Sequence, residues 1–249
     1  MRRLILLAAC ACASALRTPS AHVRGAKRPR ATIDDAPPPP STGRWLGGLA
    51  LAGAGLGPVC DNLHSGFGVL RYAKYEVAVG AAPAWWGDGH LFQTAGWVPP
   101  LFAAAALIIG GIDVVVDGDG DAPASGRVAA AVAAFVGLYA LSAFCAGTPL
   151  GLGLGAGACS VVLWPLAIAL WATLDGTPGG AIAGAATAVG GPAIEIALLG
   201  GGGVFPEPLG HLYAYARPDV LGIASWILPV YFAGGPAVAL VSRWIRARA

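Results

Sequence analysis

Charge is what this sequence has least of. Only 11% of its 249 residues are Asp, Glu, Lys or Arg and 56% are hydrophobic, against about 25% charged in an ordinary soluble domain. That scarcity, spread over several separate apolar runs, excludes a soluble globular chain and implies a polytopic membrane protein. No run is rich in Val, Ile and Tyr with strict alternation, which excludes a β-barrel, the other architecture that satisfies its backbone in lipid. The expected fold class is therefore all-α.

Other absences narrow the function. Eight of the fifteen basic residues fall in the first 44 positions, and from Trp45 onward seven basic residues face eleven acidic ones, so the body carries no nucleic-acid patch. The glycine-rich run 151–157 lacks the Lys-Ser/Thr ending of a phosphate loop. Of five cysteines, Cys10 and Cys12 sit near the N-terminus, and Cys60, Cys145 and Cys159 lie in or beside apolar runs, where a thiol acts as a small apolar group. No disulfide framework is expected. Neither a Ser/His/Asp nor a Cys/His arrangement stands out. No catalytic residue, metal or cofactor is assigned, and an enzyme is unsupported.

Six apolar runs remain, at 45–63, 95–116, 128–146, 150–171, 180–204 and 220–241, each near the length of about 17–25 residues that spans a bilayer. They predict a six-helix transmembrane bundle. The first run is the least hydrophobic, and the fifth is interrupted by Gly190-Gly191-Pro192 and Glu195. Pro218 and Asp219 suit the start of the sixth helix, because proline has no donor to orphan there and a carboxylate complements the positive helix end. Arg243, Arg246 and Arg248 close it. Small-residue pairs such as Gly53 with Gly57, Gly151 with Gly155 and Gly153 with Gly157 permit close helix contact.

The N-terminus has the order of a secretory signal: Arg2-Arg3, an apolar stretch from Leu4 to Cys12, then Ala13-Ser14-Ala15, with cleavage expected after residue 15. Residues 16–33 are rich in Arg, Ala, Ser and Thr without an acid, and 34–41 carry four prolines, so 16–44 reads as a transit-like segment and linker before a membrane domain at 45–249. The two-part leader resembles those of secondary plastids and points to a plastid membrane; the alternative is the endoplasmic reticulum membrane with a basic tail in the cytosol. With six spans the ends share a side, and Arg44, Arg127 and the three C-terminal arginines place that side in the cytosol or stroma.

Several residues could carry chemistry. His64, His90 and His211 fall on one predicted side, and Asp61 with His64 could share a helix face, but their spacing fits no metal motif. Asp117-Gly-Asp119-Gly-Asp121 fails as a calcium loop, since Ala122 and Val128 stand at the sixth and twelfth positions. Glu195 falls near the centre of a predicted span, which makes it either a functional carboxylate or the partner of a backbone group freed by Pro192.

Two blocks carry a resemblance. Tyr213-Ala-Tyr215, Pro218-Asp219, Ser225-Trp226, Phe232-Ala-Gly234-Gly235 and Arg243 resemble the end of the insulin-induced gene (INSIG) family, and Gly96-Trp97-Val98-Pro99-Pro100 with Ile112-Asp113 looks like an upstream block of the same family. The likeness covers roughly residues 94–243 with gaps. Departures are Val220 in place of an aromatic, a proline one place late at Pro229, and an apparent insertion at 201–210. The resemblance implies a non-enzymatic bundle that binds a sterol-like lipid and acts as a regulator or scaffold for another integral membrane protein. It assigns Trp97, Pro99, Pro100 and Trp226 to the lipid and Asp219 to the partner; Glu195 joins the lipid set as an ionisable residue inside a predicted span. The alternatives are a small transporter or channel built on Glu195 and a broken fifth helix, and a lipid-modifying enzyme using His64 and His90.

Overall fold

The computed structural model describes residues 41–81, 89–118, 120–148, 150–200 and 211–249. The signal-like segment 1–15, most of the transit-like stretch, Asp119 and the insertion at 201–210 lie outside the described residues. Six long helices dominate the described residues: α1 (Thr42–Gly66), α2 (Val98–Asp117), α3 (Ser125–Ala146), α4 (Ala156–Leu170), α5 (Pro178–Leu198) and α6 (Ile227–Arg246). Among the described residues four helices are long and apolar enough to cross a membrane: α2, α3, α5 and α4 with its extension to Asp175. Their outward faces carry Ile108, Val115, Val161 and Val189, which are 62%, 85%, 76% and 73% exposed. Such faces require lipid, because apolar surface of this extent is costly in water.

Local chemistry sets the helix ends. Ser41 Oγ accepts from Arg44 N at the start of α1, and Pro99-Pro100 occupy the first turn of α2, where their missing donors cost nothing. The last turn of α4, Trp171–Asp175, widens to π-helical and stops at Gly176 in the left-handed conformation (φ 70°). Thr177 Oγ1 then accepts from Gly180 N and opens α5 with Pro178 behind it.

The sixth helix is the hub. It touches all five others, and 13 of its 20 residues are buried. A hub surrounded by protein needs small side chains. A Cβ on Gly235 would run into the Gly184 backbone, and one on Gly234 would lie 3.2 Å from the Phe135 ring. Gly53 and Gly57 do the same for α1 against Phe102 of α2. The other two predicted pairs make no helix contact: Gly155 and Gly157 face open space, and Gly151 and Gly153, tight against Phe144 O and Thr148, belong to the connection before α4.

Four expectations need correction. The chain is not purely helical, because two small antiparallel sheets cap one end: β1 (Leu70–Tyr72) with β4 (Tyr213–Tyr215), and β2 (Glu76–Ala81) with β3 (His90–Ala95). β1 and β4 alternate buried and exposed residues, while β2 is exposed along its length and β3 is buried only at Gln93, Thr94 and Ala95. The sixth helix begins at Ile227, not at Pro218-Asp219, because Leu221 and Gly222 take positive φ (49° and 88°) and turn the chain first. Pro192 does not break α5, which runs unbroken to Leu198. Glu195 therefore lies in the last turn of α5 rather than near its centre.

Candidate functional site

The strand β4 alternates inward, outward, inward: Tyr213 and Tyr215 are buried and Ala214 is exposed. Pairing Leu70↔Tyr215 and Tyr72↔Tyr213 puts a third tyrosine beside them. The Tyr215 hydroxyl reaches both Glu195 oxygens at 3.0 Å, and Tyr231 from α6 donates to Glu195 Oε1 at 2.8 Å. Gly191 makes room for this, since a Cβ there would lie 2.8 Å from the Tyr231 ring. Tyr72 donates to Asp61 Oδ2 at 2.9 Å. Burial first, and the neighbouring carboxylates second, push the Tyr72, Tyr213 and Tyr215 phenols far above their ordinary value, so they stay protonated donors.

Aromatic rings knit the cluster together. Trp97 stacks on Tyr213 at 5.5 Å, Tyr215 meets Trp226 edge-on at 6.5 Å, and His64 lies 4.7 Å from Tyr139 and 5.5 Å from Trp226. His64 Nε2 also contacts Ser142 Oγ at 2.9 Å. Three of the residues assigned to lipid from sequence, Trp97, Glu195 and Trp226, are thus joined through Tyr213 and Tyr215. Pro99 and Pro100 begin α2 beside them, half-buried and exposed respectively. The Trp97 indole N–H is buried without a hydrogen-bond partner among the described residues.

The histidines do not converge. His64 is 1% exposed inside the bundle, while His90 and His211 are exposed at its surface. Among the described residues no group of three His, Cys, Asp or Glu is placed to hold a metal ion. Asp219 stands apart: its carboxylate accepts from Ser225 N and Ser225 Oγ, both at 2.6 Å, and so pins the loop before α6.

At the other end of the bundle a second polar group forms. Arg243, 5% exposed, donates to Asp113 Oδ1 at 2.6 Å and also pairs with Asp117 at 3.4 Å and with Asp175. Arg246 caps α2 by donating to Gly118 O at 2.6 Å, and Arg127 does the same for Leu174 O at 2.5 Å. Sequence reasoning singled out Asp113 and Arg243 but not their pairing.

Comparison with known proteins decides what this arrangement belongs to. No family model matches the chain. It is 30% identical over 161 residues to the insulin-induced gene 1 protein of Gallus gallus, covering 61% of this chain and 57% of that protein. The Bos taurus protein is likewise 30% identical over 161 residues, covering 61% of this chain and 52% of that one. The crystal structure of the mycobacterial Insig homolog MvINS from Mycobacterium vanbaalenii superposes with a TM-score of 0.65 at 25% identity, over 84% of this chain and 97% of that one. The chain is Insig-like. It spans a little over half the length of the animal proteins it matches, but almost the whole bacterial homolog. A chain from the crystal structure of a cross-linked trimer of that homolog superposes equally well. The Insig-like fold accounts for both blocks: Tyr-x-Tyr builds β4, Phe-x-Gly-Gly sets the α5–α6 crossing, and Arg243 meets Asp113.

Proposed function

We propose that this Insig-like chain is a non-enzymatic, lipid-binding multi-pass membrane protein, a six-span bundle that takes a sterol-like ligand and regulates or scaffolds another integral membrane protein. The observation that carries the reading is Trp97: a half-buried aromatic at the head of a membrane helix, with a buried N–H that has no partner among the described residues. A ligand with a rigid apolar body and one hydroxyl would stack on the rings and accept that hydrogen bond. Burying an unpaired donor costs about 1–3 kcal/mol, so a ligand that pairs it gains by that amount. Pro99, Pro100, Glu195 and Trp226 shape the same region.

Asp219 is proposed to serve the partner indirectly. By holding Ser225 it shapes a loop that displays Val220 and Leu221, 45% and 73% exposed. The transporter alternative loses its broken fifth helix, and the enzyme alternative loses the meeting of His64 with His90; neither gains an observation in its favour.

We further propose the domain order read from sequence: a signal peptide at 1–15, a transit-like linker at 16–44 and the membrane domain at 45–249. Both ends face the cytosol or stroma, and the location is a plastid membrane, with the endoplasmic reticulum membrane as the alternative. Fluorescent tagging of the full chain discriminates these locations.

Lipids that copurify with the protein, identified by mass spectrometry, test the central reading. Sterol-like lipids should be enriched over the host membrane, and Trp97→Phe should reduce that enrichment several-fold. No enrichment, or enrichment indifferent to Trp97→Phe, overturns it.

A further inference from the structure

The hairpin of β2 and β3 has two unlike faces. Successive side chains of a strand point to opposite sides, and the pairing Val77↔Thr94 and Val79↔Phe92 puts Val77, Val79 and Phe92 on one of them. Val77 and Val79 are 45% and 58% exposed, and Phe92 is half-buried. The other face carries a polar anchor. Ser65 Oγ donates to Gln93 Oε1, and Gln93 Nε2 donates to Glu76 Oε1 at 2.7 Å. One face is therefore apolar and open, while the other is tied to α1 through Gln93.

The place of attachment decides what lies beneath the hairpin. Gln93 N donates to Asn62 Oδ1 at 2.7 Å, so both anchors, Asn62 and Ser65, lie in the last two turns of α1. Leu51, Gly55, Val59 and Asn62 follow one another at helical spacing and share a face. Leu51 and Val59 are 75% and 45% exposed, and a Cβ on Gly55 would meet nothing within 4 Å. The hairpin is thus fastened to α1 directly above the stripe that this helix turns outward. Tyr75, 56% exposed, marks the level: its carbonyl accepts from Gly96 N at 2.9 Å, two residues before α2 begins at Val98. Tyrosines at such a level form the aromatic belt of a membrane–water boundary.

A lipid surface fits the open face better than a further strand. Gly80 takes φ 72° inside β2 and bends its free edge, so an incoming strand would meet a regular edge only over Glu76–Val79. The outer backbone groups of β2 have no ladder partner, since the sheet has two strands, and hydrocarbon would leave them unpaired. Headgroups and their water can bond those groups, while the apolar side chains gain by leaving water for the acyl boundary. We propose that this hairpin lies in the headgroup layer of the bilayer beside α1, with the face of Val77, Val79 and Phe92 against the lipid. The proposal rests on α1 crossing the membrane, as in the six-span reading.

The test uses the full chain carrying Cys10→Ser and Cys12→Ser, whose remaining cysteines, Cys60, Cys145 and Cys159, are buried. Single labelling sites are made by Val79→Cys, by Ala78→Cys on the opposite face and by Leu51→Cys on α1. Each variant is tagged with a fluorophore and reconstituted in phosphatidylcholine vesicles with iodide available on both sides. Nitroxide placed near the lipid headgroup should quench the Val79 label several-fold more than the Ala78 label, and iodide should do the reverse. Nitroxide deep in the acyl chains should quench the Leu51 label. If iodide reaches Val79 as readily as Ala78, the hairpin stands in water and the proposal falls. If Val79 is shielded only at high protein-to-lipid ratio, a second copy covers the face and the proposal falls as well. Lipid contact at Leu51 without lipid contact at Val79 overturns this proposal alone. A Leu51 label beyond the reach of deep nitroxide overturns the six-span reading and this proposal with it.

Discussion

Arg243 donates to Asp113 at 2.6 Å across 130 residues of sequence, and both side chains are shut away from solvent, at 5% and 0% exposure. The pair ties the hub helix to α2, and through Asp175 the same guanidinium reaches the end of α4. One side chain thus joins three helices at one end of the bundle.

Removing that cation should be severe. Arg243→Leu strands the Asp113 and Asp175 carboxylates in the interior, a loss of about 3–5 kcal/mol on the usual cost of breaking a buried pair. Arg243→Lys should recover only part, because an ammonium cannot fork to several carboxylates. Adding Asp113→Asn to Arg243→Leu should restore some stability, measured as the unfolding midpoint in detergent; a double variant no better than the single one contradicts the pairing.

Two glycine-to-alanine changes should move stability in opposite directions. Gly235→Ala drives a methyl into the Gly184 backbone and should cost about 1–3 kcal/mol through overpacking. Gly137→Ala meets nothing within 4 Å on α3 and should gain up to about 0.5–1 kcal/mol from helix propensity. Thermal unfolding of the two variants side by side decides it.

Glu195 holds two tyrosines, so its replacement separates charge from hydrogen bonding. Glu195→Gln keeps an acceptor for Tyr215 and Tyr231 and should unfold within a few degrees of the natural protein. Glu195→Leu leaves both hydroxyls seeking a partner, at about 1–3 kcal/mol each. If Glu195→Leu instead expresses better and still retains lipid, the carboxylate has no functional role.

Asp219→Ala removes both hydrogen bonds to Ser225 and should loosen the loop at 219–226 without unfolding the bundle. Limited proteolysis should then cut this loop several-fold faster. Any partner protein captured by the natural chain should be lost in proportion. Cleavage at the natural rate would mean that the Asp219–Ser225 contact does not hold the loop.

Composition alone sets the class of this molecule. Scarce charge and runs of spanning length can only be stable in lipid, so the helix positions from α1 to α5 were readable from hydropathy alone. Resemblance supplied the residues Trp97, Asp113, Asp219, Trp226 and Arg243, but not what they touch. The start of α6 was misread because an uncharged stretch does not distinguish helix from turn; Leu221 and Gly222 break it through backbone conformation, which hydropathy does not register. The strands β1 and β4 were missed because three residues are too few to show a period. The partners come from the fold, since contacts such as Tyr215 with Glu195, Arg243 with Asp113, and Gly235 with Gly184 join different elements of the chain. Their reason is packing: helices pressed together by small residues bury polar groups, and groups such as Glu195 and Arg243 then find their hydrogen bonds across the bundle.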